Sequence, residues 1–173
     1  KKLSEERKFE IEVASQVIPF KTNNYITDEL IDWNNIENDP IYTLNFPARD
    51  LLNNGQFEKI AGLIKNKSDK DKINKAVNEI WLQLNPHAGE QLNLNVPEFE
   101  NIKLSGIQHK YNETLLFFPA QGQTCHAYCT FCFRWPQFTG NKELKFALKQ
   151  TDLLINYLKK NKHDSALHYF NNA

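Results

Sequence analysis

Cys125, Cys129 and Cys132 are the three cysteines of the chain, and all lie in one segment, Cys125-His126-Ala127-Tyr128-Cys129-Thr130-Phe131-Cys132. An odd, clustered set is a poor disulfide framework and a good metal or redox site. Thiolates in a C-x₃-C-x₂-C array can hold a four-iron, four-sulfur cluster. A cubane takes four ligands, so three cysteines leave one iron open to a further ligand. Three thiolates with a histidine can instead hold tetrahedral zinc, with His109, His126, His163 or His168 as the fourth donor. Structural zinc sites more often pair a C-x₂-C knuckle with a distant second pair, which this chain lacks. Cys129 and Cys132 form a C-x-x-C that can close as a redox disulfide, and unliganded buried thiols are the remaining alternative. The spacing favours a cluster gripped on one side and exposed on the other.

The elements that must position this loop differ before and after it. Upstream, Thr114, Leu115, Leu116, Phe117 and Phe118 form a short continuous apolar run, whose length favours a strand covered on both faces. Downstream, Leu144, Ala147, Leu148, Thr151, Leu154, Ile155 and Leu158 predict one amphipathic helix, with Lys142, Lys145 and Lys149 on its solvated face. Strand, long loop, helix is the opening βα unit of a parallel sheet or barrel, in which functional loops sit at the carboxyl ends of strands. No second strand is evident. Pro86 to Asn112 reads as loop, and His163 to Ala173 is too short and mixed to complete a sheet.

The first half reads as short helices. Thr27 is placed to cap a helix carrying Leu30, Ile31 and Trp33. Pro47 suits a first turn, and Gly55 is placed to end the 48–54 segment. Phe57, Ile60, Ala61 and Ile64 continue with helical spacing. Ser68 can cap the clearest helix, with Asp71 in the capping-box position and Ile73, Ala76, Val77, Ile80, Trp81 and Leu84 on its apolar face. That helix should stop near Asn85-Pro86.

The segment Gly106-Ile107-Gln108-His109-Lys110-Tyr111, the strand after it, the cysteine loop and the run Cys132-Phe133-Arg134-Trp135-Pro136 together resemble the lysine 2,3-aminomutase family of radical S-adenosylmethionine proteins. Within it they look most like a related, less characterised branch. The resemblance spans Asn85 to Gly140, extends through Leu144 to Lys160, and is loose over the first 80 residues. It implies that Cys125, Cys129 and Cys132 hold a [4Fe-4S] cluster whose open iron takes S-adenosyl-L-methionine. Reductive cleavage there generates a deoxyadenosyl radical that abstracts hydrogen, in the family for a 1,2-amino shift on an amino acid. It also implies that Phe131 stacks near the adenine and that Arg134 binds a substrate carboxylate. The chain departs from the family in two ways. A single Arg134 between Phe133 and Trp135 replaces a run of arginines, and no lysine here corresponds to the one that carries pyridoxal phosphate, a cofactor expected only in a full-length protein.

The 173 residues are 40% hydrophobic and 24% charged, which is ordinary for a globular protein. Twenty-one basic residues balance twenty-one acidic ones, so no net field points to nucleic acid or an anionic membrane. No apolar run approaches the roughly 20 residues of a membrane span, and the charged start lacks a secretory signal's apolar core. A cytoplasmic protein with a small-molecule partner, an amino acid, is expected. The chain contains no methionine, so its first residue is not expected to be a translation start: either something has been trimmed or the numbering begins inside a longer reading frame. The resulting expectation is an α/β protein. A helical region at 1–112 is followed at 113–173 by the first βα unit of a partial (β/α) radical S-adenosylmethionine barrel, truncated at its end. The alternatives from other classes are a zinc-stabilised binding module without catalysis and an inactive truncated remnant.

Overall fold

Ser4, Asp39, Asn53 and Asp69 each accept a hydrogen bond from the backbone N–H three residues on, at 3.1, 2.6, 2.9 and 2.9 Å. Each thereby satisfies a donor that a helix leaves open at its start. They begin α1 (Glu5–Val17), α2 (Pro40–Asn45), α3 (Asn54–Lys65) and α4 (Lys70–Gln83). The computed structural model describes residues 3–87, 90–120, 123–148, 151–161 and, for its backbone, the strand at 166–169. It divides into two units, one of Lys1–Pro86 with His126–Trp135 and one of His87–Cys125 with Pro136–Ala173. Among the described residues no helix is long and apolar enough to cross a membrane.

In the first unit, α1, α3 and α4 close a core on Val13, Val17, Phe57, Ile60, Val77 and Ile80. Burying an aliphatic or aromatic side chain of this kind contributes about 1.5–3 kcal/mol. A second apolar centre is aromatic. Tyr42 stacks on Phe46 at 4.9 Å between centroids, while Phe20 and Trp33 meet Phe46 at 5.1 and 6.0 Å.

The helical periodicity of Phe57 to Ile64 and of Ile73 to Leu84 is borne out, and α4 ends just before Asn85-Pro86. Three local expectations are corrected. Asp69 rather than Ser68 caps α4, because its carboxylate reaches the Lys72 N–H. Gly55 lies in the first turn of α3 instead of ending a segment, since Asn53 and Gln56 form a reciprocal capping box. Thr27 does not cap a helix reaching Trp33. It lies inside a single π turn, Ile26–Leu30, and its hydroxyl donates to the Asn24 carbonyl.

The second unit is built on strands. β1 (Glu98–Phe99) and β2 (Ile102–Lys103) form a small antiparallel hairpin. Its two turn residues, Glu100 and Asn101, both have positive φ, as a two-residue hairpin with right-handed strand twist favours. β3 (Ile107–Tyr111) and β4 (Thr114–Phe117) pair antiparallel, with Ile107 opposite Phe117 and Tyr111 opposite Thr114. After α5 (Thr151–Lys160) the chain adds β5 (Ala166–Tyr169), parallel to β4, in a three-stranded sheet ordered β3-β4-β5. Leu104, Ile107, Leu115, Phe117, Leu154 and Tyr157 share its core.

The fold is therefore a mixed α/β one, and the expected strand at Thr114 is present. The expectation of a lone strand is overturned, because the sheet takes β3 from the segment read as loop and β5 from the tail read as too short. The covering of β4 is also unequal, with Leu115 and Phe117 buried and Thr114 and Leu116 only half-buried. The long amphipathic helix is corrected as well. It begins at Thr151, and Leu144, Phe146 and Leu148 precede it, buried at a spacing of two rather than 3.6. Leu148 bridges to the end of β4, donating to the Phe118 carbonyl and accepting from the Ala120 N–H. Lys142 and Lys145 thus lie outside any helix, and Lys149 lies outside the described residues. Ile155, expected on the buried side, is exposed.

Gly106 decides the close approach in this unit. It has φ +92°, and a Cβ there would stand 2.0 Å from the Leu148 nitrogen and 2.3 Å from the Ala147 carbonyl carbon. Only glycine combines that conformation with that contact.

Candidate metal centre

The cysteine segment belongs to both units: Cys125 is at the end of one stretch of the strand unit, and Cys129 and Cys132 lie in the helical unit. All three are half-buried and none is in a disulfide. Cys129 to Trp135 is a run of tight turns. The Cys132 N–H donates to the Cys129 carbonyl at 3.1 Å, and the Trp135 N–H donates to the Cys132 carbonyl at 3.1 Å. This winding brings the Cys129 and Cys132 side chains within hydrogen-bonding reach of each other.

Burial pushes the Cys132 thiol above its ordinary pKa, and the neighbouring Cys129 raises it further. The Arg134 backbone N–H and guanidinium act in the opposite direction, favouring the thiolate. A metal at this position would displace the proton, and its binding would weaken as pH falls.

The segment is fastened to the helical unit by its backbone. The Tyr128 N–H donates to the Lys21 carbonyl at 2.8 Å, and the Thr130 N–H donates to the Leu44 carbonyl at 2.8 Å. The Thr130 hydroxyl donates to the Thr43 carbonyl at 3.1 Å. Lys21 Nζ lies 5.8 Å from the centre of the Tyr128 ring, and the Trp135 ring lies 6.4 Å from that of Trp81.

Phe131 is 79% exposed and Phe133 64% exposed, so neither is a core phenylalanine. Arg134 is half-buried beside them. Of the histidines considered as a fourth zinc donor, His109 is engaged in the strand unit, where Nδ1 meets the Tyr157 hydroxyl and the rings pack edge to face. His126 is exposed, while His163 and the side chain of His168 lie outside the described residues. Among the described residues no three His, Cys, Asp or Glu side chains are gathered closely enough to hold a metal ion. The structure thus pairs Cys129 with Cys132 and sets Arg134 at Cys132. Sequence reasoning missed Tyr128, Thr130 and Trp135 as the residues that fasten the segment, because their partners are 50 to 110 positions away.

Comparison with models of protein families, with curated proteins and with solved structures gives no significant match for the chain.

Proposed function

We propose that this chain carries the cluster-binding segment of a radical S-adenosylmethionine enzyme similar to lysine 2,3-aminomutase, acting in the cytoplasm on an amino acid. One observation carries the reading. The chain's entire thiol complement, none of it in a disulfide, lies in a C-x₃-C-x₂-C array on the connection between two parallel strands, β4 and β5. That is where a partial (β/α) barrel places a functional loop. The donor type suits an iron–sulfur cluster, which cysteine thiolates hold, and Cys129 and Cys132, outside any disulfide, already lie side by side.

In this reading Cys125, Cys129 and Cys132 hold the [4Fe-4S] cluster as thiolates and leave one position to S-adenosylmethionine. When bound, the cluster supplies the electron for reductive cleavage of that cofactor and so for hydrogen abstraction from the substrate. Arg134 assists the deprotonation of Cys132, and its planar guanidinium suits a substrate carboxylate in a bidentate fork. The exposed Phe131 ring offers a flat face on which an adenine can stack.

Anaerobic reconstitution with iron and sulfide tests the proposal. About four irons and as many sulfides per chain are expected, and alanine at any one of the three cysteines should abolish retention. Stoichiometric zinc without sulfide would instead identify a zinc module.

A further inference from the structure

Thr130 is a threonine between two proposed ligands, yet its side chain and backbone both point away from them, to the helical unit. Its N–H bonds to Leu44 O and its hydroxyl to Thr43 O, so two successive carbonyls hold one residue. Two positions earlier, Tyr128 bonds to Lys21 O in the same way. These acceptors are not on free loops. Lys21 follows Phe20, and Thr43 and Leu44 stand between Tyr42 and Phe46; Phe20, Tyr42 and Phe46 are packed ring on ring. At the far end Trp135 meets Trp81, which is itself fixed by its indole N–H to the Val17 carbonyl at 2.7 Å. The residues from Tyr128 to Trp135 are thus pinned on both sides of the thiol pair to the first 86 positions, through the Lys21, Thr43 and Leu44 carbonyls and the Trp81 ring.

We infer that the helical unit is the scaffold that preorganises Cys129 and Cys132, with Thr130 as the positioning residue. The inference deepens the cluster reading and rests on it for the identity of the metal. A ligand pair already held in its turn loses less conformational freedom when metal binds, and so retains it better. The sequence conceals this division of labour, because the resemblance that suggests a cluster covers the first 80 residues only loosely.

Thr130→Val keeps the β-branched shape and removes the hydroxyl donor, while Thr130→Ser restores it. Hydrogen exchange of the peptide spanning 126–135, measured on metal-free protein, reads the fastening itself. Losing one such bond should speed exchange there about fivefold in the valine variant, leave α3 and α4 unchanged, and be reversed in the serine variant. On the reconstituted protein the valine variant should lose iron to a chelator faster by a similar factor, again with rescue by serine. Unaltered exchange in Thr130→Val overturns the inference even if the cluster forms. Faster exchange in Thr130→Val, with a wild-type chain that takes up no iron, keeps the scaffold and removes the cluster reading. Faster exchange with wild-type iron retention also overturns it, since the fastening would then be structural only.

Discussion

The two units bury similar kinds of side chain but assemble them by opposite routes. In the helical unit each of the helices α1 to α4 is declared locally, by a capping side chain three residues from its partner. Its core then forms by bringing three ready-made faces together. In the strand unit almost nothing is local. β4 is sandwiched between β3, a few residues before it, and β5, about fifty residues after it, and Leu148 must reach back to Phe118 and Gly106. Backbone groups of a strand find their partners only in other strands, so no strand here is stable by itself. The cysteine segment draws on both logics, with a local turn that pairs two thiols and distant carbonyls that hold the turn.

Substitutions confined to one unit test this contrast. The largest effect belongs to Gly106→Ala. A methyl group forced to within 2.0 Å of the Leu148 nitrogen at positive φ should destabilise the strand unit by about 4 kcal/mol. Trp33, Trp81 and Trp135 all lie in the helical unit, so tryptophan fluorescence follows that unit alone. Its urea midpoint should stay in place while hydrogen exchange through β3 and β4 rises. A fluorescence transition shifted equally would show that the two units unfold as one.

The converse is Ile60→Ala. Ile60 is fully buried between α1, α3 and α4, and its truncation should cost about 3 kcal/mol. Here the tryptophan transition should move to lower urea and exchange in β3 and β4 should not change.

The smallest effect is a titration. Asp39 accepts from the Tyr42 N–H at 2.6 Å and the Asp32 N–H at 2.9 Å, and these bonds hold its carboxyl below the ordinary aspartate pKa. A lowered folded-state pKa contributes stability above the unfolded value, about 4, that is lost as pH falls through the lowered one. The helical unit should therefore lose urea resistance as pH falls below about 4, and Asp39→Asn should show a smaller loss on the same acidification. An identical loss in both proteins would assign the acid sensitivity elsewhere.

Much of the helical unit was legible in the sequence. The periodicities of α3 and α4 and the stop before Pro86 depend on side chains within a turn of one another, which is the range sequence patterns report. Cap choice was less legible, since Ser68 and Asp69 are both good caps and only the turn geometry selects one. In the strand unit β4 was visible as an apolar run. β3 was hidden by its run of consecutive polar residues, Gln108-His109-Lys110, and β1–β2 by a Glu100-Asn101 turn lacking the usual glycine. The stretch from Leu144 to Leu148 offered apolar residues compatible with either period.

The sequence by itself determined which atoms are available for chemistry: three thiols, their spacing, an arginine two residues on, and phenylalanines at 131 and 133. Composition and short-range spacing suffice for that, because they are properties of neighbouring residues. The tertiary structure alone decided that Phe131 and Phe133 face solvent, that burial and Arg134 pull the Cys132 thiol in opposite directions, and that Lys21, Thr43 and Leu44 hold the turn. Exposure, desolvation and a hydrogen bond between residues 87 apart exist only once the chain has closed on itself, since each depends on what distant segments bring alongside.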